Sequence, residues 1–88
     1  MGEIIEQDQI GIIIAPNPFS NSTTFHFEKP IQNGQLILFD ILGKQVRNQS
    51  FTGEKAIIDR NNLSSGIYLV KVFENGENLG TKKIIVSD

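Results

Sequence analysis

Apolar residues come in short clusters along this chain, separated at close intervals by polar residues, glycines and prolines. From Ser22 to Glu28 the chain alternates: Thr23, Phe25 and Phe27 fall on one side, Thr24, His26 and Glu28 on the other. Period two marks a strand with one buried face, and burying each Phe contributes about 1.5–3 kcal/mol. Upstream, Gly11 to Ala15 carries Ile12-Ile13-Ile14, a β-branched run that predicts a first strand ended by Pro16. Gln35 to Phe39 is apolar on both sides and predicts a central strand. Lys44 to Phe51 has strong apolar residues only at Val46 and Phe51, which suits a strand near an edge. Glu54 to Asp59, with Ala56-Ile57-Ile58, predicts another short strand. Gly66 to Glu74 is the strongest: Tyr68, Val70 and Val72 share a face, while Ile67, Leu69 and Phe73 lie on the other with Lys71. A last strand spans about Leu79 to Val86.

The connections carry turn chemistry. Pro16-Asn17-Pro18-Phe19 cannot be helical or pair fully in a central strand, because each proline fixes φ and lacks an N–H; it reads as a rigid crossing. Asn33-Gly34 and Asn75-Gly76 are turn dipeptides, the second joining the last two strands in a tight hairpin. Asp40-Ile41-Leu42-Gly43 fits a type I turn, with Asp accepting nearby backbone N–H groups. Arg60 to Gly66 is a polar turn with Leu63 pointing inward. About seven short strands and no helical period predict an all-β fold, an immunoglobulin-like antiparallel β-sandwich. Leu63 followed by Gly66-Ile67-Tyr68 is similar to the tyrosine corner of such folds, whose hydroxyl bonds upstream backbone. In this reading Gly66 supplies a backbone conformation, and Tyr68 fills core with its hydroxyl capped.

Composition narrows the function. The 88 residues suggest one domain, and a domain of this size hides only ~60% of its unfolded surface. Residues 1–10 read as linker and 11–88 as the folded unit. Net charge is −2 and no stretch gathers Lys and Arg, which argues against nucleic acid as a partner. With no cysteine, thiolate metal sites and thiol catalysis are excluded and no disulfide supports the core. No apolar run approaches the ~20 residues of a membrane helix. The start shows no signal peptide, and Met1-Gly2 reads as an expression start. The chain is therefore expected to be a fragment, with anything upstream missing, an export signal included.

Candidate chemistry is sparse, and no cofactor is expected. His26, the one histidine, sits on the polar side of its strand. Asp59, Asn61 and Asn62 offer oxygens but lack a calcium-loop spacing, so they read as a turn. No nucleophile–base pattern or phosphate-binding glycine loop is present, so catalysis is not expected. A small fibronectin-like or carbohydrate-binding adhesive module is the competing reading. Sugar binding favours exposed aromatic platforms, whereas this chain has no Trp and one Tyr, and most of its six Phe lie in buried strand patterns.

Four segments, in order, resemble a known family. They are Pro16-Asn17-Pro18 after a short apolar strand; Leu38-Phe39-Asp40-Ile41-Leu42-Gly43-Lys44; Leu63-Ser64-Ser65-Gly66-Ile67-Tyr68-Leu69-Val70-Lys71-Val72; and Thr81-Lys82-Lys83-Ile84-Ile85-Val86 near the end. From Ile12 onward the chain resembles the type A C-terminal sorting domain of the type IX (Por) secretion system. Its ending departs from the family pattern, since Ser87-Asp88 follows Val86 where a terminal basic residue is usual. The resemblance implies a secretion signal behind an N-terminal cargo domain. It implies recognition by outer-membrane translocation components and removal by a surface sortase-like protease, so that the protein passes through the periplasm to the cell surface or beyond. A receptor could read the terminal strand, Lys82, Lys83, Ile84, Ile85 and Val86, by adding a strand to its edge. Equally, the two lysines could solvate the strand and block aggregation. Asp40, Gly43 and Lys44 read as turn chemistry, and Pro16, Asn17 and Pro18 as a strand connector. Open sheet edges would also let the isolated domain pair or swap strands.

Overall fold

The computed structural model describes residues 9–88, so the expected linker lies, as far as Asp8, outside the described residues. The strands are β1 (Ile12–Ala15), β2 (Ser22–Phe39), β3 (Gln45–Asp59), β4 (Gly66–Glu74) and β5 (Glu77–Val86). The alternation read along Ser22 to Glu28 holds, with Thr23, Phe25 and Phe27 buried on the inner side of β2.

The strand count is five, not about seven, and the reason is phase. In the first half of β2 the buried residues are Thr23, Phe25, Phe27 and Ile31; after Asn33 they are Gly34, Leu36 and Leu38. The buried set passes from odd to even positions across a register shift between Ile31 and Gly34, where Asn33 has φ 52°. One extra residue in a strand swaps its faces. Asn33-Gly34, expected as a turn, is therefore a bulge within a continuous strand. The same happens in β3: Arg47, Gln49 and Phe51 are half-buried before Gly53, and Ala56 and Ile58 are buried after it. Gly53 has φ 98°, a left-handed conformation that only glycine adopts without cost. Each expected pair of short strands is thus one long strand that bends and keeps one face inward.

All strand pairs are antiparallel and belong to one curled sheet. β3 follows one side of β2; on the other side β1 pairs with its first half and β4 with its second. β5 lies beyond β4, joined by Asn75-Gly76, whose φ values of 50° and 82° fit the expected two-residue hairpin. The curl brings Phe25, Phe27, Leu36, Leu38, Ile58, Val70, Val72 and Ile84 into one core. Ile10 also enters that core, and the Gln9 N–H donates to the Leu79 carbonyl at 2.8 Å. Where the bends cross, Phe51 stacks on Phe27 with ring centres 5.0 Å apart. A Cβ at Gly34 would lie 2.6 Å from the Phe51 ring, so the close approach requires glycine.

Candidate recognition surface

Pro16 and Pro18 carry no N–H, so the segment between β1 and β2 cannot form a regular ladder. Asn17 substitutes its side chain for backbone. An amide side chain presents one acceptor and one donor group, as a strand residue does. Asn17 Oδ1 accepts the Ile85 N–H at 2.9 Å, and Nδ2 donates to the Lys83 carbonyl at 3.0 Å. Two residues on, the buried Phe19 continues as main chain: its N–H donates to the Ile85 carbonyl at 2.9 Å, and its carbonyl accepts from Ser87 at 2.8 Å. The Thr23 hydroxyl donates to the Pro16 carbonyl at 2.5 Å. The proline segment connects strands, as expected, and it also clamps the outer edge of β5.

The turn after β2 is built as expected. Asp40 Oδ1 accepts from the N–H groups of Leu42 and Lys44, both at 2.9 Å, and the Asp40 carbonyl accepts from Gly43 at 3.0 Å. Gly43 has φ 85°, and the side chains of Ile41 and Leu42 stand out in solvent.

Before β4, the Tyr68 hydroxyl donates to the Ser64 carbonyl at 2.7 Å, the upstream bond expected of a tyrosine corner. Tyr68 and Leu63 are both buried, and Gly66 sits at φ 153°, which side-chain-bearing residues rarely adopt. Arg60 organises this loop and the chain end together. Its Nε donates to the Leu63 carbonyl at 3.1 Å, and its Nη2 reaches Ser65 Oγ at 3.1 Å and Asp88 at 2.7 Å. The Asp88 carboxyl is held below its ordinary range, first by the Arg60 hydrogen bond, then by Ser65 and the Arg60 charge. The acidic ending that departs from the family pattern thus has a partner within the fold.

The five residues singled out on β5 divide by face. Ile84 and Val86 are core, Lys83 is exposed, and Lys82 and Ile85 are half-buried. The pairs Phe39↔Leu69, Gly66↔Val86 and Ile67↔Ile85 bring the end of β2, the start of β4 and the end of β5 together. Three of the four motif segments therefore meet at one end of the sheet, and the proline segment bonds the β5 edge there.

Sequence reasoning missed the Asn17 clamp, the Arg60–Asp88 pair, and the extent to which Ile67 (45%) and Leu69 (42%) are exposed. β4, read as the strongest strand and apolar on both sides, lies between β2 and β5, but its outer face has no covering layer.

His26 is half-buried on β2, and Asn61, at φ 47°, belongs to the polar turn after β3. No cluster of three or more His, Asp or Glu suited to a metal occurs among the described residues. A groove of about 540 Å³ lies at the opposite end, lined by Asn33, Gly34, Gln35, Ser50, Phe51, Thr52, Asn75 and Gly76. That lining contains no acid and no base.

The family model described as "Secretion system C-terminal sorting domain" matches residues 13–87. An endo-acting ulvan lyase from Formosa agariphila is 30% identical over 74 residues, covering 83% of this chain. The chain spans only 14% of that lyase's length. This chain therefore belongs to the family of secretion system C-terminal sorting domains, type IX secretion signals that send the proteins carrying them to the cell surface or the extracellular space.

Proposed function

We propose that the folded domain, attached behind an N-terminal cargo, is recognised by the outer-membrane translocation components of the type IX system. A sortase-like protease at the surface then cuts it away upstream of the sheet. The domain itself carries out no catalysis; the lyase activity named for the Formosa agariphila protein is said of that protein as a whole, of which the match is a small part. The supporting observation is the convergence of the motif segments on the end of the sheet where the terminal strand closes. Pro16 to Phe19 bonds its edge, Gly66 and Tyr68 pair with its last residues, and Lys83 stays exposed on it. Lys82, Lys83, Ile84, Ile85 and Val86 serve this recognition in two ways: Ile84 and Val86 anchor the strand on the face Lys82 shares, and Lys83 and Ile85 present its outer face.

We also read the curled sheet as an immunoglobulin-like sandwich, with the two halves of β2 and β3 contributing to opposite layers. The Tyr68–Ser64 hydrogen bond supports that reading. An adhesive carbohydrate-binding role fits less well. Phe19, Phe25, Phe27 and Tyr68 are buried, and Phe39, Phe51 and Phe73 are half-buried, which leaves no exposed aromatic platform.

The test is export of a reporter fused to all 88 residues in a type IX host. The fusion should reach the surface or medium and lose the domain there. Removing Lys82 to Asp88 should trap it in the periplasm. Wild-type export after that truncation refutes the proposal, and saturable binding of the purified domain on a glycan array favours the adhesive role.

A further inference from the structure

Part of the outer face of the sheet has no covering layer. On it lie Ile37 and Phe39 of β2, Ile67, Leu69, Lys71 and Phe73 of β4, and Thr81, Lys83 and Ile85 of β5, placed side by side by the strand register. Ile67 and Leu69 are more than two-fifths exposed, and Ile41 (75%) and Leu42 (89%) extend the apolar surface at the adjoining turn. The charged residues among these are Lys71 and Lys83, both basic, although the chain as a whole carries −2; Asp40, in the adjoining turn, accepts from the N–H groups of Leu42 and Lys44. Neither lysine forms an ion pair among the described residues. The Lys71 ammonium lies 5.2 Å from the centre of the Phe39 ring, which holds it against the face. A contiguous apolar area edged with unpaired like charge marks an interaction site.

Resting on the sorting-signal reading above, we propose that this face, formed by Phe39, Ile67, Leu69 and Ile85 with Lys71 and Lys83, docks onto an apolar surface edged with carboxylates on a protein of the export machinery. The lysines select the occupant. Two copies of this chain meeting face to face would gather four lysines in one interface, and the strand residues of the face supply no carboxylate to pair with them. Attachment to anionic lipid takes clusters of about four to eight basic residues, more than this face offers. Strand addition at the β5 edge is hindered from Lys83 to Ser87, because Asn17 and Phe19 occupy that edge. The open face is thus a more accessible target than the edge.

The experiment uses the full chain fused to its reporter in a type IX host. Lys71→Glu with Lys83→Glu, and separately Leu69→Glu, should each lower export at least ten-fold, with precursor accumulating in the periplasm and the melting temperature of the purified domain close to wild type. Ile57→Glu, at an exposed apolar position on β3 opposite Thr24 in the first half of β2 and outside this face, is the control and should export normally. Restoration of the double variant by an acidic-to-basic substitution in an outer-membrane component would be the strongest support. Normal export of both variants overturns the docking face while leaving the sorting signal intact; failure of the unsubstituted fusion overturns the sorting signal itself. A purified domain that dimerises, with the dimer lost in Leu69→Glu, assigns the face to a second copy and overturns the proposal. So does binding to phosphatidylglycerol vesicles that the double charge reversal abolishes.

Discussion

The outer edge of β5 and the outer edge of β3 present the same hazard, a row of backbone groups that could template another chain, but they are covered by different means. On β5 the cover comes from a distant segment: Asn17 and Phe19 reach residues 83–87, 66 to 68 positions away in the side-chain bonds. On β3 it is local. Arg47 donates to the carbonyls of Asp59 and Arg60, and Gln49 to the carbonyl of Ile57, across separations of 8 to 13 positions. Local bonds form at little loop-closure cost, whereas joining the first and last parts of a chain waits for nearly complete folding. The terminal strand therefore acquires its closed edge only in the finished domain, while β3 can be covered as soon as it bends at Gly53.

The sharpest way to break this contrast is at Phe19. It is 3% exposed and supplies both main-chain bonds of the clamp. Phe19→Ala should cost about 3–5 kcal/mol in urea unfolding, with faster amide exchange at Ile85 and Ser87. A loss below about 1 kcal/mol would mean the core holds β5 without its clamp. Asn17→Ala comes next. It removes two hydrogen bonds, each worth about 0.5–1.5 kcal/mol, so a loss of about 1–3 kcal/mol is expected, with amide exchange fastest at Ile85. The matching change on the other edge, Arg47→Ala, should cost less, about 1 kcal/mol, because it leaves only carbonyls behind and water can take its place at the exposed Asp59 carbonyl. If Arg47→Ala proves more damaging than Asn17→Ala, the contrast is inverted and the local cap is the critical one.

The same distinction between local and distant partners decides how much could be read from the chain. Asp40 with its turn, Tyr68 with Ser64, and the Asn75-Gly76 hairpin were legible because each feature is completed within about four residues. Asn33-Gly34 carries the same dipeptide as Asn75-Gly76 and does something else. The Asn33 carbonyl accepts from the Asn75 N–H at 3.1 Å, and its side-chain amide donates to Asn75 Oδ1 at 2.7 Å, 42 residues away. That partnership keeps β2 running, and the local code cannot distinguish a bulge from a turn. The candidate surface divides likewise. The family was legible from four ordered motifs, whereas Ile84 and Val86, read among the residues a receptor meets, are buried in the core. The clamp by Asn17 and the openness of Ile67 and Leu69 depend on what lies beside them in space, which no spacing along the chain records.

The smallest expected effect also concerns closure of the β5 end. Asp88 joins Arg60 just beyond the Ser87–Phe19 bond, and its carboxyl is held below the ordinary aspartate range, chiefly by the Arg60 hydrogen bond. A carboxyl with a lowered value in the folded state binds its proton more readily when unfolded, so folding is favoured while it is ionised. Its contribution should be fully present above the unfolded value, near pH 4, and fade as pH falls through the lower folded value. Because Asp88 is fully exposed, solvent screens the pair and the effect should be slight. Urea midpoints of the wild type and Asp88→Asn, measured from pH 7 to pH 2, should show a small gap that closes below about pH 4. Salt at 1 M should narrow the gap at pH 7 as well, since the Debye length is then only about 3 Å. A gap that stays constant over the whole range would assign the effect to something other than ionised Asp88, and the chain end would then be held by the Ser87–Phe19 bond and the neighbouring Phe19 and Asn17 contacts alone.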